Sequence, residues 1–224
     1  MRKLRRFAAG MTLALAALAP PLAGQAAASG LDPAEAEVVE RVEAYIADID
    51  TLHARFLQWS SNGGAAEGEV WIDRPGKARF EYDEPHPVLM VSNGRTLLYF
   101  DRELQQTTYL PTRETPLWFL LREDVDMADV EDYHVARVEE GDGTYQIHIV
   151  REGVQPGEPG SIELTIAQDP LALKEWRIVD EQGIVSDIVL TDVRYDARID
   201  PKLFDFSEID LPRRVGPGRD GTGP

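Results

Sequence analysis

The sequence predicts a mainly β domain with helices: a long antiparallel sheet of roughly ten strands, curled around a hollow that two helices cover. Three observations carry this. From Leu52 to Tyr195 apolar residues recur mostly at every second position, in runs punctuated by Pro75-Gly76, Asn93-Gly94, Asp142-Gly143, Asp169-Pro170 and Gln182-Gly183. Only two stretches leave that pattern, one with apolar residues at three- and four-residue spacing and one almost wholly apolar. A sheet this large does not stay flat with one oily face exposed, so it curls, and the helices are the only material left to fill the concavity.

The first helix opens at Asp32-Pro33-Ala34-Glu35, where an N-cap carboxylate, a proline at the first helical position and a glutamate three residues on form a start signal. Val38, Val39, Val42, Tyr45, Ile46 and Ile49 then share one face, and Glu37, Glu40, Arg41 and Glu43 the other. After Asp48 to Asp50 the period changes to two in Leu52 to Trp59. The next two strands fold back on each other at Arg74-Pro75-Gly76-Lys77, a turn made by the preset angle of proline and the left-handed freedom of glycine.

On that hairpin Val70, Ile72 and Arg74 share one face, and Ala78, Phe80 and Tyr82 share one on the return strand. A permanent charge therefore ends an apolar face. Leaving it desolvated and unpaired would cost several kcal/mol, so something must cross the sheet and accept its hydrogen bonds. Strands follow at Val88 to Val91, Thr96 to Phe100 and Gln106 to Leu110. Thr115-Pro116 then opens the second helix, Leu117 to Leu121, which has no polar face before Arg122.

An acidic run, Glu123 to Asp132, precedes a second series of strands at Tyr133 to Glu139, Thr144 to Arg151, Ser161 to Gln168, Leu173 to Asp180 and Ile184 to Tyr195. Arg198 to Phe206 reads as a closing turn that tucks Phe204 and Phe206 inward. The remainder after Leu211 is Pro, Gly and Arg without periodicity, so residues 212–224 read as a disordered tail.

Residues 1–28 have a basic start, an Ala- and Leu-rich core broken at Pro20-Pro21, and a small-residue end at Ala26-Ala27-Ala28, the pattern of a secretory signal peptide. The mature chain is then one domain, 29–211, plus the tail. Losing four basic residues with the leader leaves 19 basic against 40 acidic, a formal charge of −21. That charge argues against nucleic acid and against resting on anionic membranes. With no cysteine, the exported chain has neither disulfide, thiolate nor cysteine-borne lipid anchor.

Three stretches together resemble the periplasmic outer-membrane lipoprotein carrier proteins, the LolA family: His53-Ala54-Arg55-Phe56-Leu57-Gln58, Gly68-Glu69-Val70-Trp71-Ile72-Asp73-Arg74-Pro75, and Val91-Ser92-Asn93-Gly94-Arg95-Thr96-Leu97-Leu98-Tyr99-Phe100. Thr115-Pro116 and Asp200-Pro201-Lys202-Leu203-Phe204-Asp205-Phe206 keep the order. The resemblance implies an unclosed antiparallel β-barrel of about ten to eleven strands with an α-helical lid. It implies a chaperone that takes the acyl chains of outer-membrane lipoproteins from an inner-membrane lipoprotein-releasing ABC transporter and delivers them to an outer-membrane lipoprotein receptor. For such a periplasmic monomer the candidate cavity and lid residues are Phe56, Val70, Ile72, Phe80, Tyr82, Val91, Leu98, Phe100, Leu117, Trp118, Phe119 and Leu120. Arg74 is the lid latch that the family implies. Ala78 stands where some members carry an aromatic residue.

An enzyme is the rival class. The chain has no Gly-Xaa-Ser-Xaa-Gly elbow, no His-Glu-Xaa-Xaa-His pair and no phosphate loop, and His53, His86, His134 and His148 are scattered. Asp124 to Asp129 lacks the glycine and closing glutamate of a calcium loop. No enzymatic activity, cofactor, metal or stable membrane insertion is expected. A nearer alternative is a periplasmic carrier or sensor of another lipid or glycolipid, since one apolar hollow resembles another.

Overall fold

A computed structural model describes residues 30–116, 118–127 and 133–211. The expected leader, Leu117, residues 128–132 and the expected tail lie outside the described residues. The chain runs α1 (Pro33–Ala47), β1 (Thr51–Ser60), β2 (Gly64–Asp73), β3 (Lys77–Tyr82), β4 (Val88–Asn93), β5 (Thr96–Asp101), β6 (Gln106–Pro111), α2 (Trp118–Leu121), β7 (Tyr133–Gly141), β8 (Thr144–Arg151), β9 (Ser161–Gln168), β10 (Leu171–Val179) and β11 (Val185–Tyr195). All eleven strands form one antiparallel sheet in the order β6-β5-β4-β3-β2-β1-β11-β10-β9-β8-β7. Two meanders are thus joined by a single pairing distant in sequence, β1 with β11. The sheet ends at β6 and β7, which are consecutive in the chain and lie at opposite edges, so the barrel is unclosed and residues 112–132 connect its two edges.

The curl is measurable. Phe80 on β3 and Trp176 on β10 are four strand spacings apart in the sheet, about 19 Å if it were flat. Their ring centroids lie 6.4 Å apart, edge to face. Three bulges help: an extra residue at Ala136 in β7, at Lys174 in β10 and near Asp192 in β11 interrupts the pairing and sharpens the local bend.

α1 starts as its sequence dictates. The Asp32 carboxylate accepts from the Ala34 and Glu35 amides at 2.8 and 2.9 Å, and Glu35 Oε2 accepts from the Asp32 amide. Its apolar face buries Val39, Val42 and Ile46 against the inner face of the sheet, each worth roughly 1.5–3 kcal/mol of burial. Its polar side also finds partners. Glu35 Oε1 accepts from the Val138 amide, Arg41 donates to the Tyr145 hydroxyl, and the Tyr45 hydroxyl accepts from the Leu173 amide beside the β10 bulge. These contacts sit near the ends of β7, β8 and β10, so α1 crosses one end of the cup rather than its whole opening. The described residues of the expected Leu117–Leu121 helix form α2, a single turn whose Phe119, Leu120 and Leu121 are buried in the same core.

A second, smaller core lies on the outer face. Leu89, Val91, Leu98 and Phe100 pack there under Phe204, with Trp71, Leu203, Phe206 and Leu211 around them. The closing segment therefore covers the outside of β3–β5 instead of turning into the hollow. Arg79 holds it by donating to the Leu203 carbonyl at 3.1 Å, and the Lys77 ammonium lies over the Phe204 ring at 5.9 Å. Val91, Leu98 and Phe100 are accordingly not cavity residues. Because β4 and β5 are apolar on both faces, their alternation alone does not say which face looks inward.

Candidate functional site

The cup is solid at one end and hollow at the other. At the end crossed by α1, Leu52, Ala54, Val70, Ile72, Ala78 and Leu120 are buried in the core, so the expected lining residues Val70, Ile72 and Leu120 fill the cup rather than face open space. Further along the strands, Phe56, Phe80, Tyr82 and Trp176 form an edge-to-face chain, with centroids 5.0 Å apart for Phe56–Tyr82 and 5.7 Å for Phe56–Phe80. Beyond this aromatic floor lies a cavity of about 680 Å³ that runs out to Asn62 and Gly63 in the β1–β2 turn. A second, of about 750 Å³, lies between the linker residues Trp118 and Phe119 and the strand residues Tyr133, Ile149 and Ile162. Leu110, Thr115, Pro116, Ile178 and Asp180 line both, so the two chambers adjoin. Each falls within the roughly 300–1,000 Å³ of clefts that hold small apolar ligands.

The floor depends on one glycine. Gly68 pairs with Phe56 on one side and Tyr82 on the other, and a Cβ built there would meet the Glu81 carbonyl oxygen at 2.3 Å and the Phe56 ring at 2.7 Å. Only a hydrogen at that position lets the Phe56 ring lie across β2 and reach Tyr82. Polarity then rises toward the open end along each strand: Phe56, Gln58, Ser60 on β1; Phe80, Tyr82 on β3; Trp176, Ile178, Asp180 from β10 onward. The Tyr82 hydroxyl donates to Gln58 Oε1 at 2.6 Å, and burial raises its pKa above the usual phenol value.

Arg74 closes the opposite end. It leaves β2 at the hairpin turn, and its guanidinium donates to the carbonyls of Ile46 and, at 3.2 Å, Ile49 at the end of α1. The other terminal nitrogen donates to the carbonyls of Arg122 at 2.6 Å and Glu123 at 3.3 Å, just past α2. The Ile46 carbonyl belongs to the last turn of α1 and the Arg122 carbonyl lies just past α2, where the partial negative charge of a helix C-terminus suits a cation. The neighbouring Gly76 amide donates to the Leu121 carbonyl at 2.7 Å. Gly76 has φ of +81°, and a Cβ there would fall 2.7 Å from the Gly94 Cα, so only glycine fits. Below it, the buried Ser92 hydroxyl donates to the Gly76 carbonyl at 2.6 Å and lies 2.8 Å from the Thr112 hydroxyl. Burial lowers the Arg74 pKa, with Asp50 opposing, and among the described residues Nε has no acceptor. One side chain thus ties together a β-turn, α1 and the linker.

Of the residues expected from sequence, the structure brings Phe56, Phe80 and Tyr82 to the first chamber and Trp118 and Phe119 to the second. The sequence reasoning missed the contribution of the C-terminal strands. Trp176 and Ile178 are displaced from simple alternation by the Lys174 bulge, which puts Leu173 and Trp176, three apart, on the same face. Met90, Tyr99 and Leu110 were equally hidden, since each neighbours another large apolar residue on the opposite face. Among the described residues no group of His, Asp or Glu is arranged to hold a metal, and no helix is long and apolar enough to cross a membrane.

The family model described as outer membrane lipoprotein carrier protein LolA matches residues 47–207. An outer-membrane lipoprotein carrier protein of Chromohalobacter salexigens is 29% identical over 211 residues, 89% of this chain and 90% of the relative. One from Chromobacterium violaceum is 41% identical over 95 residues, 41% of this chain and 46% of the relative. Among solved structures, a LolA superfamily protein from Nitrosomonas europaea superposes with a TM-score of 0.42 at 11% identity, over 78% of this chain and 99% of that one.

Proposed function

The chain belongs to the LolA family of outer-membrane lipoprotein carrier proteins, and from that premise we propose that it is a periplasmic monomer that binds the acyl chains of lipoproteins released by an inner-membrane ABC transporter and hands them to an outer-membrane receptor. The observation that carries this reading is the aromatic-floored hollow at one end of a cup whose other end is fastened through Arg74. Two adjoining chambers offer separate berths for the chains of one anchor, with Phe56, Phe80, Tyr82, Trp118 and Phe119 as contact residues.

The energetics favour a carrier that resists its own cargo. Each methylene withdrawn from water contributes about 0.8 kcal/mol, so some forty of them amount to tens of kcal/mol. Non-covalent binding saturates near 20 kcal/mol, and a groove that captured the full gain would never release. Prising α1 and the linker from Arg74 to admit the chains offsets part of it. In this reading Arg74 is a latch that tunes affinity, and delivery is a direct passage from one apolar groove to the next. With the leader removed, the formal charge of −21, against −17 for the full sequence, keeps the empty carrier off anionic lipid while favouring basic receptor surfaces.

The test is to incubate the mature protein with spheroplasts making labelled lipoproteins. Labelled lipoprotein in the medium, bound to the protein and passed on to receptor-bearing outer membrane, is the expected result. A folded protein that leaves every lipoprotein on the spheroplast would overturn the proposal.

A further inference from the structure

We propose that Gln58, positioned by Tyr82, is a hydrogen-bonding site inside the first chamber for the carbonyl groups through which acyl chains are joined to their anchor. The inference rests on the carrier reading and adds what the cavity recognises besides hydrocarbon.

The chamber is oily where Phe56, Phe80 and Trp176 form its floor, yet one step toward the opening β1 places an amide rather than another apolar residue. That amide is oriented. Its Oε1 accepts the short bond from the Tyr82 hydroxyl, and Tyr82 is itself pinned edge to face against Phe56. With the oxygen engaged, both Nε2 hydrogens are left to donate, and among the described residues nothing accepts them. The Tyr99 hydroxyl, on the facing wall of the same chamber, has no hydrogen-bond partner among the described residues either, and burial raises its pKa. The site therefore offers donors, at a level just above an apolar floor.

A plain hydrocarbon passing this level would strip water from the amide and return nothing, which is unfavourable. A ligand with an apolar tail, a carbonyl acceptor at its junction and no strong donor there matches the sequence of walls: tail against the aromatic floor, ester or amide carbonyl at Gln58, polar head toward Ser60 and Asn62. Acyl esters and acyl amides have that structure, and ether-linked chains of equal length lack only the acceptor.

The experiment compares two synthetic diacylglyceryl lipopeptides, one ester-linked and one ether-linked with the same chains, displacing a fluorescent fatty acid from the mature protein. The wild type should prefer the ester by about 5- to 10-fold, the worth of one buried hydrogen bond. Gln58→Leu should bind the ether compound at least as well and lose the preference. Gln58→Glu, which keeps the acceptor toward Tyr82 but removes the donor, should lose it too; both variants are first checked for a cooperative thermal transition. Equal wild-type affinities, or a preference that survives either substitution, would overturn the proposal. If neither lipopeptide displaces the probe from the wild type, the carrier reading fails and the Gln58 site with it. A diacyl phospholipid that shows the same Gln58-dependent ester preference with higher affinity than the lipopeptide would keep the carbonyl site and move its natural ligand to phospholipid.

Discussion

Replacing Arg74 by leucine removes donors to four carbonyls, but the consequences differ by site. The Ile46 carbonyl keeps the Asp48 and Ile49 amides, whereas the Arg122 carbonyl, at 2.6 Å from the guanidinium, has no other donor among the described residues. Two well-made bonds from a charged donor are worth about 3–6 kcal/mol together. Against this stands the cost of holding a half-buried guanidinium away from water, also a few kcal/mol, which leucine does not bear. Global stability should therefore fall by only about 1–3 kcal/mol in urea unfolding. The local effect is larger, because the Arg74 guanidinium is the group that bonds the carbonyls after α1 and after α2 at once; the Glu43 carboxylate, which accepts from the Met127 amide at 2.6 Å, still ties α1 to the linker beside it. The Gly76 amide, bonded to the Leu121 carbonyl, should exchange at least ~10-fold faster, each tenfold corresponding to about 1.4 kcal/mol of lost protection. Arg74→Lys should behave like the leucine variant, since one ammonium cannot span two pairs of carbonyls. If Gly76 exchange in Arg74→Leu matched the wild type, the guanidinium would not be what holds these elements together. Cargo transfer to the receptor should slow in the same variants, because a latch that opens at little cost leaves more of the acyl-burial energy as affinity.

Other outcomes follow from the same geometry. Gly68→Ala forces a Cβ into the Glu81 carbonyl and the Phe56 ring, so stability should drop by about 1–3 kcal/mol and lipopeptide affinity with it; a calorimetric transition and affinity both unchanged would mean the floor does not need that close approach. Phe204→Ala empties the outer core and should cost about 3–5 kcal/mol, while the lipopeptide affinity of the still-folded fraction stays as in the wild type; a matching loss of affinity would place the outer face in the site after all. His148 is buried beside Glu139, Glu163 and Arg137, and burial lowers its pKa, with Glu163 opposing, Arg137 assisting and Glu139 opposing. The unfolded chain then takes up the proton first on acidification, so the stability His148 supports is complete above its unfolded pKa, about 6.5, and is lost as pH falls from there through the folded value. The fall in Tm from about pH 7.5 to 5.5 should be smaller in His148→Gln than in the wild type, and an equal fall would sink the assignment.

Much of this architecture was readable because local chemistry and global fold agree. Asp32 and Glu35 start α1 as a capping box, and Arg74 at the end of an apolar face demanded acceptors from across the sheet, which the carbonyls of Ile46, Ile49, Arg122 and Glu123 supply. What stayed hidden is non-local. Nothing in the period of β1 says that its second neighbour is β11, 130 or so residues away, a pairing that depends on closure of the whole curl. Strands such as Val88–Asn93 and Thr96–Asp101 carry large apolar residues on both faces, so choosing Val91, Leu98 and Phe100 over Met90, Leu97 and Tyr99 required knowing that Phe204 returns to the outer face. The bulge at Lys174 shifts the phase of β10 by one residue, and with it Trp176 moves into the floor of the hollow.

The most direct test of the central claim uses a photoreactive phenylalanine analogue, placed at Tyr99 on the inner wall or at Tyr109 on the outer face, in protein loaded with a radiolabelled diacyl lipopeptide. With the acyl chains in the first chamber, irradiation should attach label from position 99 and not from position 109. Labelling from 109 with none from 99 would show that acyl chains ride on the outside of the cup, and would contradict the claim.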